Sequence, residues 1–244
     1  MNNNLRLSVW SGPRNVSTAL MYSFRQRPDT KVFDEPLYGH YLKTFGVKHP
    51  GYKEVMKSMD CDGKSVIENI LLAPLNGKSV FFFKNMAHHL RDLNDLGFLD
   101  ELTNVLLTRA PREMLPSLAK KLPEPSLSDT GLVEQIQLLE QIKKSGKKPV
   151  VLDARELLLN PESVLHQLCE RLDIPFDQGM LQWPAGPKPE DGIWAKYWYE
   201  NVHASTKFKP YRPKTRPFPK KLRPLLEKCK PLYDRLYEYA LRSS

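Results

Sequence analysis

The first residues in this chain whose types and spacing could do chemistry are Pro13-Arg14-Asn15-Val16-Ser17-Thr18, which follow Ser11-Gly12 at the end of an apolar run and lead into a helical pattern. A strand that turns tightly into a helix presents unpaired backbone N–H groups, and the helix dipole adds favourable potential. The segment is therefore a candidate anion site. It is not a Walker A loop, because Val16, Ser17 and Thr18 stand where that pattern needs Gly, Lys and Ser/Thr, and the phosphate-cradling lysine is missing. No GxGxxG fingerprint occurs either, which removes the main support for a dinucleotide fold. A polar connection that only caps a helix is the alternative use of the same residues. Metal chemistry has little to build on: His88 and His89 are adjacent and need no metal to explain them. Cys61, Cys169 and Cys229 are scattered, odd in number and outside any CxxC pair. Reduced thiols and no resident metal are the expectation.

The elements that must position this loop read as alternating strands and helices. Leu5–Trp10, Lys31–Phe33, Ser79–Phe83, Asn104–Thr108 and Pro149–Leu152 are short, mostly continuous apolar runs, as expected of strands buried on both faces. Thr18–Arg27, Pro111–Lys121, Gly131–Lys144 and Pro161–Leu172 carry helical spacing, the last opened by Asn160 as N-cap with Pro161 in the first turn. The pattern predicts an α/β fold of three layers, a mainly parallel sheet with helices on both faces. The 244 residues suffice for one domain with a sizeable core. After Ile174 prolines interrupt the periodicity, so 175–244 is expected to form a loop-rich cap on a single domain spanning 1–244, ending in a helix over Leu232–Leu241.

Charge is unevenly placed. The formal net charge is +9, and all of that excess falls in residues 203–244, which hold twelve basic and three acidic side chains. Such a segment favours an anionic partner through long-range attraction. The amino-terminal residues show no basic stretch leading into an apolar run, and no eighteen apolar residues run together, so a cytoplasmic protein without a membrane span is expected.

Taken in order, several motifs resemble those of the sulfotransferases that use phosphoadenylyl sulfate, over roughly residues 5–210. Pro13 to Thr18 is similar at four of six places to the family's Pro-Arg-Ser-Gly-Thr-Thr loop, which holds the 5′-phosphosulfate. The departures are Asn15 for Ser and Val16 for Gly, the second of interest because glycine permits positive φ. The family's Arg and Ser eight positions apart, which grip the 3′-phosphate, correspond to Arg109 and Ser117 in Leu106–Ser117. Arginine's planar fork suits that task. The protein-tyrosine branch places a Glu after an Arg/His-Pro-Asp segment. Here Arg27-Pro28-Asp29 precedes Asp34-Glu35-Pro36, with Glu35 falling 21 residues after Arg14 as in that branch. Lys84-Asn85-Met86 resembles the branch's Lys-Asp-Pro. Val202–Lys209 is similar, at looser spacing, to the late segment that closes over the nucleotide.

The resemblance implies a P-loop NTPase-like sulfotransferase fold and in-line transfer of a sulfuryl group to a hydroxyl or amine of a small-molecule or peptide acceptor. It implies Glu35 as base, with His88, His89 or His40 as the other option, Lys84 and Arg14 stabilising charge, and Pro13, Arg14, Asn15, Val16, Ser17 and Thr18 around the phosphosulfate. Arg109, Ser117, Ser205, Lys207 and Lys209 would contact the nucleotide, whose product is adenosine 3′,5′-bisphosphate. Trp194 to Tyr199, Tyr38 and Tyr41 are candidates to line an acceptor pocket or to be packed core. Two other readings stay open: a P-loop kinase or nucleotide hydrolase with an unusual loop, and a catalytically inactive scaffold whose basic tail binds a polyanion, nucleic acid being the less favoured target. Neither the acceptor nor the oligomeric state is written in these motifs.

Overall fold

The computed structural model describes residues 4–93 and 95–243. Its strands are β1 (Leu5–Ser11), β2 (Thr30–Asp34), β3 (Val80–Met86), β4 (Thr103–Thr108) and β5 (Val150–Asp153), in one sheet of order β2-β3-β1-β4-β5. β2 runs parallel to β3 with Asp34 level with Lys84, and β4 parallel to β5 with Thr108 level with Asp153. Each strand lies where its apolar run places it, and the fold is the α/β arrangement with a parallel sheet. Continuous burial holds for all seven residues of β3 but not for β2, where Lys31 is exposed between buried Thr30 and Val32. At the end of the sheet order β2 has a neighbour on one side only. A lysine there blunts the open edge, and its Nζ lies 5.0 Å from the Phe33 ring centroid.

The chain divides into two compact units interleaved along the sequence. The first takes residues 4–9, 17–104 and 177–208; the second takes 10–16, 105–176 and 209–243. The segment after Ile174 is therefore shared, and the change of unit falls after Phe208.

In the first unit, α1 (Ser17–Arg25) packs Phe24 against Phe82 of β3, ring centroids 4.7 Å apart. Two further helices follow β2, α2 (Tyr38–Phe45) and α3 (Tyr52–Ser58). The signal for α2 is short: Tyr38, Tyr41 and Leu42 at helical spacing, ended by Gly46 at φ 60°. These three residues form one apolar cluster with Val55, Trp194, Ala195 and Tyr199. Tyr38, Tyr41, Trp194 and Tyr199, weighed as pocket lining or core, are thus buried packing.

In the second unit, helices span Pro111–Leu118, Leu132–Lys144, Ala154–Leu159, Pro161–Arg171 and Arg223–Tyr237. Asn160 Oδ1 accepts from the Ser163 amide at 3.1 Å, which is the cap the sequence predicts. The last helix begins nine residues before the predicted Leu232. Pro224 occupies its first turn, where a missing N–H costs no bond, and Pro231 is accommodated inside, so prolines that read as breaks belong to the helix. Beyond it the Leu241 amide donates to the Val151 carbonyl at 2.9 Å and covers the outer edge of β5. Cys61, Cys169 and Cys229 form no disulfide. Among the described residues no helix is long and apolar enough to cross a membrane.

Candidate active site

In the second unit the chain leaves β1 through Gly12, where a Cβ would stand 2.7 Å from the Thr130 carbonyl oxygen, so this turn accepts no side chain without movement. Arg14 follows at φ 57°, a left-handed conformation costing a non-glycine residue about 1–2 kcal/mol. Among the described residues the positive-φ positions do not include Val16, so the glycine missing there is not demanded by backbone conformation. Three side chains fix the turn. Asn15 Nδ2 donates to the Leu107 carbonyl at 3.1 Å, Arg109 Nη1 to the Arg14 carbonyl at 3.0 Å, and Arg14 Nε to Ser117 Oγ at 3.1 Å. Arg14, Arg109 and Ser117, read from two motifs, are thereby one hydrogen-bonded group.

Arg109 also forks onto Glu113 Oε2, Nε at 3.2 Å and Nη2 at 3.1 Å, while Tyr211 OH donates to Glu113 Oε1 at 2.5 Å. Lys214 Nζ donates to the Glu113 carbonyl at 2.5 Å. Burial, and next the neighbouring Arg109, lowers the Arg14 pKa; the same two causes lead for Lys214. Arg109 thus forks onto the Glu113 carboxylate, with the Arg14 guanidinium and the Lys214 ammonium near enough to feel the positive charge of Arg109. Among the described residues none accepts from the terminal nitrogens of Arg14. Two planar forks, a hydroxyl and an excess of positive charge fit a phosphate-bearing ligand.

The first unit holds a different cluster. Asp34 ends β2, and Glu35 follows at φ 48°, turned so that its amide donates to the Lys84 carbonyl at 2.8 Å. Lys84, on β3 and 1 % exposed, donates to Asp34 Oδ1 at 2.8 Å, to Tyr199 OH at 2.6 Å, and to Glu35 Oε1. Its three protons are all used. Asp34 further accepts from Tyr199 OH at 2.8 and 2.9 Å and from the Gly192 amide at 3.1 Å. Burial alone would lower the Lys84 pKa, but the Asp34 and Glu35 carboxylates hold it well above ordinary lysine. The group then carries one fixed cation and two carboxyls, and burial raises the Glu35 pKa against the pull of Lys84. A carboxyl that holds its proton to higher pH is a stronger base once ionised.

Ser17 is buried at the start of α1, Pro13, Asn15 and Val16 are half-buried, and Thr18 is half-buried on the helix. Ser205 Oγ donates to the Val202 carbonyl at 2.7 Å and accepts from Trp183 Nε1 at 3.3 Å, so it is engaged in packing its own segment. Lys207 is exposed and bridges Gln182 through the backbone; Lys209 is exposed in the second unit. His89 is stacked on Tyr38 and Tyr41, centroids 5.1 and 4.8 Å away, and burial, then His88, drives its pKa well below the usual value. His40 is half-buried on α2. Among the described residues no group of His, Cys, Asp or Glu is placed to hold a metal ion.

The sequence reading missed Asp34, Tyr199, Glu113, Tyr211 and Lys214 as members of these clusters. Asp34 had a signal, since it ends a strand beside Glu35 and opposite the run containing Lys84. Tyr199 had none, because it reaches Lys84 across 115 positions of sequence.

A family profile described as a sulfotransferase domain matches residues 5–240. The Branched-chain-amino-acid aminotransferase-like protein 2 of Arabidopsis thaliana is 42% identical over 206 residues, covering 83% of this chain and 36% of that protein. The chain thus spans little more than a third of that relative's length. A solved sulfotransferase domain from the curacin biosynthetic pathway aligns with a TM-score of 0.52 at 13% identity, over 92% of this chain and 96% of that one. A crystal structure of a sulfotransferase from Alicyclobacillus acidocaldarius aligns with a TM-score of 0.55 at 12% identity, over 96% and 94%. At such identities the likeness is one of fold.

Proposed function

This chain belongs to the sulfotransferase domain family, and from that premise we propose that it moves a sulfuryl group from phosphoadenylyl sulfate to the hydroxyl or amine of a small-molecule or peptide acceptor. When bound, the donor supplies sulfur activated for in-line displacement. The bond from acceptor oxygen or nitrogen to sulfur forms as the bond from sulfur to the bridging phosphate oxygen breaks. The observation that carries the reading is the convergence of Arg14, Arg109 and Ser117 on one another, with donor groups of Arg14 left over.

One set of residues binds and orients. The loop Pro13 to Thr18 meets the phosphosulfate end with its amides and Arg14, while Arg109 and Ser117 seat the 3′-phosphate. Another set handles proton and charge. Glu35 accepts the acceptor's proton, and Lys84 neutralises charge on the leaving oxygen. Since Lys84 has three acceptors already, it must release one, and Glu35 is the partner whose release also frees a base. His89, neutral and stacked between aromatic rings, is a weaker candidate for that role. The protein-tyrosine branch is favoured among acceptor classes by the Arg27 to Glu35 spacing.

Adenosine 3′,5′-bisphosphate is expected to raise the melting temperature clearly more than ATP with magnesium, and a screen of hydroxyl and amine acceptors with the sulfuryl donor is expected to give turnover. Equal shifts for both nucleotides, with magnesium-dependent ATP turnover, would return the chain to the kinase or hydrolase reading. Bisphosphate binding without any transfer would support the inactive scaffold.

A further inference from the structure

The buried cluster of the first unit contains two carboxyls on one lysine, and their hydrogen bonds are unequal. Asp34 accepts from Lys84 Nζ, from the Gly192 amide and from Tyr199 OH. Glu35 accepts from Lys84, and Tyr199 lies close enough to hold its pKa down as well. The direction of the Tyr199 proton follows from counting. A phenol oxygen has two lone pairs and one hydrogen. Lys84 Nζ, at 2.6 Å, donates to that oxygen, and Trp194 Nε1 donates to it at 3.3 Å. Both lone pairs are filled, so the hydrogen points to Asp34, whose two oxygens lie 2.8 and 2.9 Å away.

We propose that Tyr199 is a positioning residue: its phenol proton, aimed by Trp194, commits Asp34 to being the fixed counter-ion of Lys84 and leaves Glu35 as the carboxyl that exchanges a proton. The inference deepens the assignment of Glu35 as base and rests on it for its catalytic meaning. A carboxylate with three well-placed donors is stabilised as an anion more than one with fewer, each such bond to a charged group contributing about 1.5–3 kcal/mol. Burial raises the Glu35 pKa. The other titratable neighbours do not even out this asymmetry. Tyr38 from α2 faces Glu35, Tyr22 from α1 faces Asp34 and Lys84, and His89 feels Lys84. Tyr22 donates its own proton to Asp191, and His203, whose ring lies 6.0 Å from Tyr199, pairs with that same aspartate. His89 is held neutral and the two tyrosines stay protonated, so none of the three changes charge in the range where a carboxyl titrates.

The test is a pH titration of side-chain carboxyl carbons by 13C NMR on the whole protein, which needs no turnover, run beside the pH profile of kcat. In the wild type one buried carboxyl signal, absent from E35Q, is expected to titrate above 4.5. In Y199F Glu35 is expected to hold only part of the proton, so its signal changes by a smaller amplitude across that range than in wild type, and the acid limb of kcat moves with it. W194F, which keeps the phenol and its Asp34 bond, gives a smaller change of the same kind and guards against loss of fold in Y199F. A proton found on Asp34 in the wild type, or Y199F and W194F titrations that both match wild type, would overturn the assignment. Absence of sulfuryl transfer with these titrations intact would instead remove the proposed reaction and leave the proton assignment standing.

Discussion

The two charged regions treat charge in opposite ways. Around Lys84 in the first unit, every proton of the ammonium meets an acceptor on a neighbouring side chain, and the whole group is buried. Around Arg14 in the second unit, cations outnumber carboxylates and donors are left over. A closed network satisfies itself with its own side chains; an open one keeps donors and positive charge to spare. The difference separates a group saturated from within from one that is not, although both look equally polar in the sequence.

Lys84→Met breaks that contrast most severely. It leaves Asp34 and Glu35 buried without their cation, which for a buried pair costs about 3–5 kcal/mol. For a chain of this size that corresponds to a fall in melting temperature on the order of 10 °C, read by calorimetry. Adding E35Q and D34N to the variant is expected to recover part of the loss, because neutral amides tolerate burial better than unpaired anions. A Lys84→Met protein as stable as wild type would mean the cluster is not the closed network described.

Arg109→Ala probes the open region and should do the reverse. Its ion pair with Glu113 is partly exposed, so the unliganded protein loses no more than about 1 kcal/mol. Affinity for adenosine 3′,5′-bisphosphate, measured by titration calorimetry, is expected to fall about 10–100-fold, since a charged fork to phosphate is lost. Loss of stability with retained affinity would place Arg109 with the structural residues instead.

Glu35 gives the comparison a pH axis. Its folded pKa is raised above the ordinary value of 4.5, with burial the leading cause. A carboxyl of this kind favours the folded state below 4.5, where it is protonated in both states, and that advantage is lost as pH rises through the folded value. The melting temperature of wild type relative to E35Q should therefore decline as pH increases above 4.5. Sulfuryl transfer by wild type should rise over the same range as the base ionises. A difference between the two proteins that is flat with pH would show Glu35 titrating as an ordinary surface carboxyl.

How far such behaviour was legible beforehand depends on distance along the chain. The five strands and most of the helices rest on local periodicity, and each was readable. The loop Pro13 to Thr18 and the Arg109 to Ser117 segment were readable because chemistry there is packed into six and nine consecutive positions. The direct bond from Arg14 to Ser117 was not, since spacing within a motif says nothing of how two motifs meet. Tyr199 was assigned to an aromatic stretch whose apolar bulk masked the one hydroxyl that matters. The last helix reads short because Pro231 looks like a break in the sequence, whereas the helix Arg223–Tyr237 contains it. Local patterns carry secondary structure; polar networks closed over a hundred residues do not have a local pattern to carry.

The smallest expected effect concerns backbone strain, and it too divides residues held for function from residues held for fold. Arg14 and Asp173 both sit in the left-handed region, at φ 57° and 53°. Asp173 follows the helix Pro161–Arg171, where the Ile174 amide returns to the Cys169 carbonyl at 3.1 Å, the place at a helix end that suits glycine. Asp173→Gly is therefore expected to raise stability by about 0.5–1 kcal/mol in chemical denaturation and leave bisphosphate affinity unchanged. Arg14→Gly relieves the same conformation but gives up the Ser117 bond, so its stability should change by less than about 0.5 kcal/mol. Its affinity should nevertheless fall by at least about tenfold, because a charged donor to the ligand is lost. Strain tolerated at Arg14 only for the sake of its guanidinium predicts that opposition; two glycine variants behaving alike in both measurements would mean that the left-handed arginine is an accident of the turn.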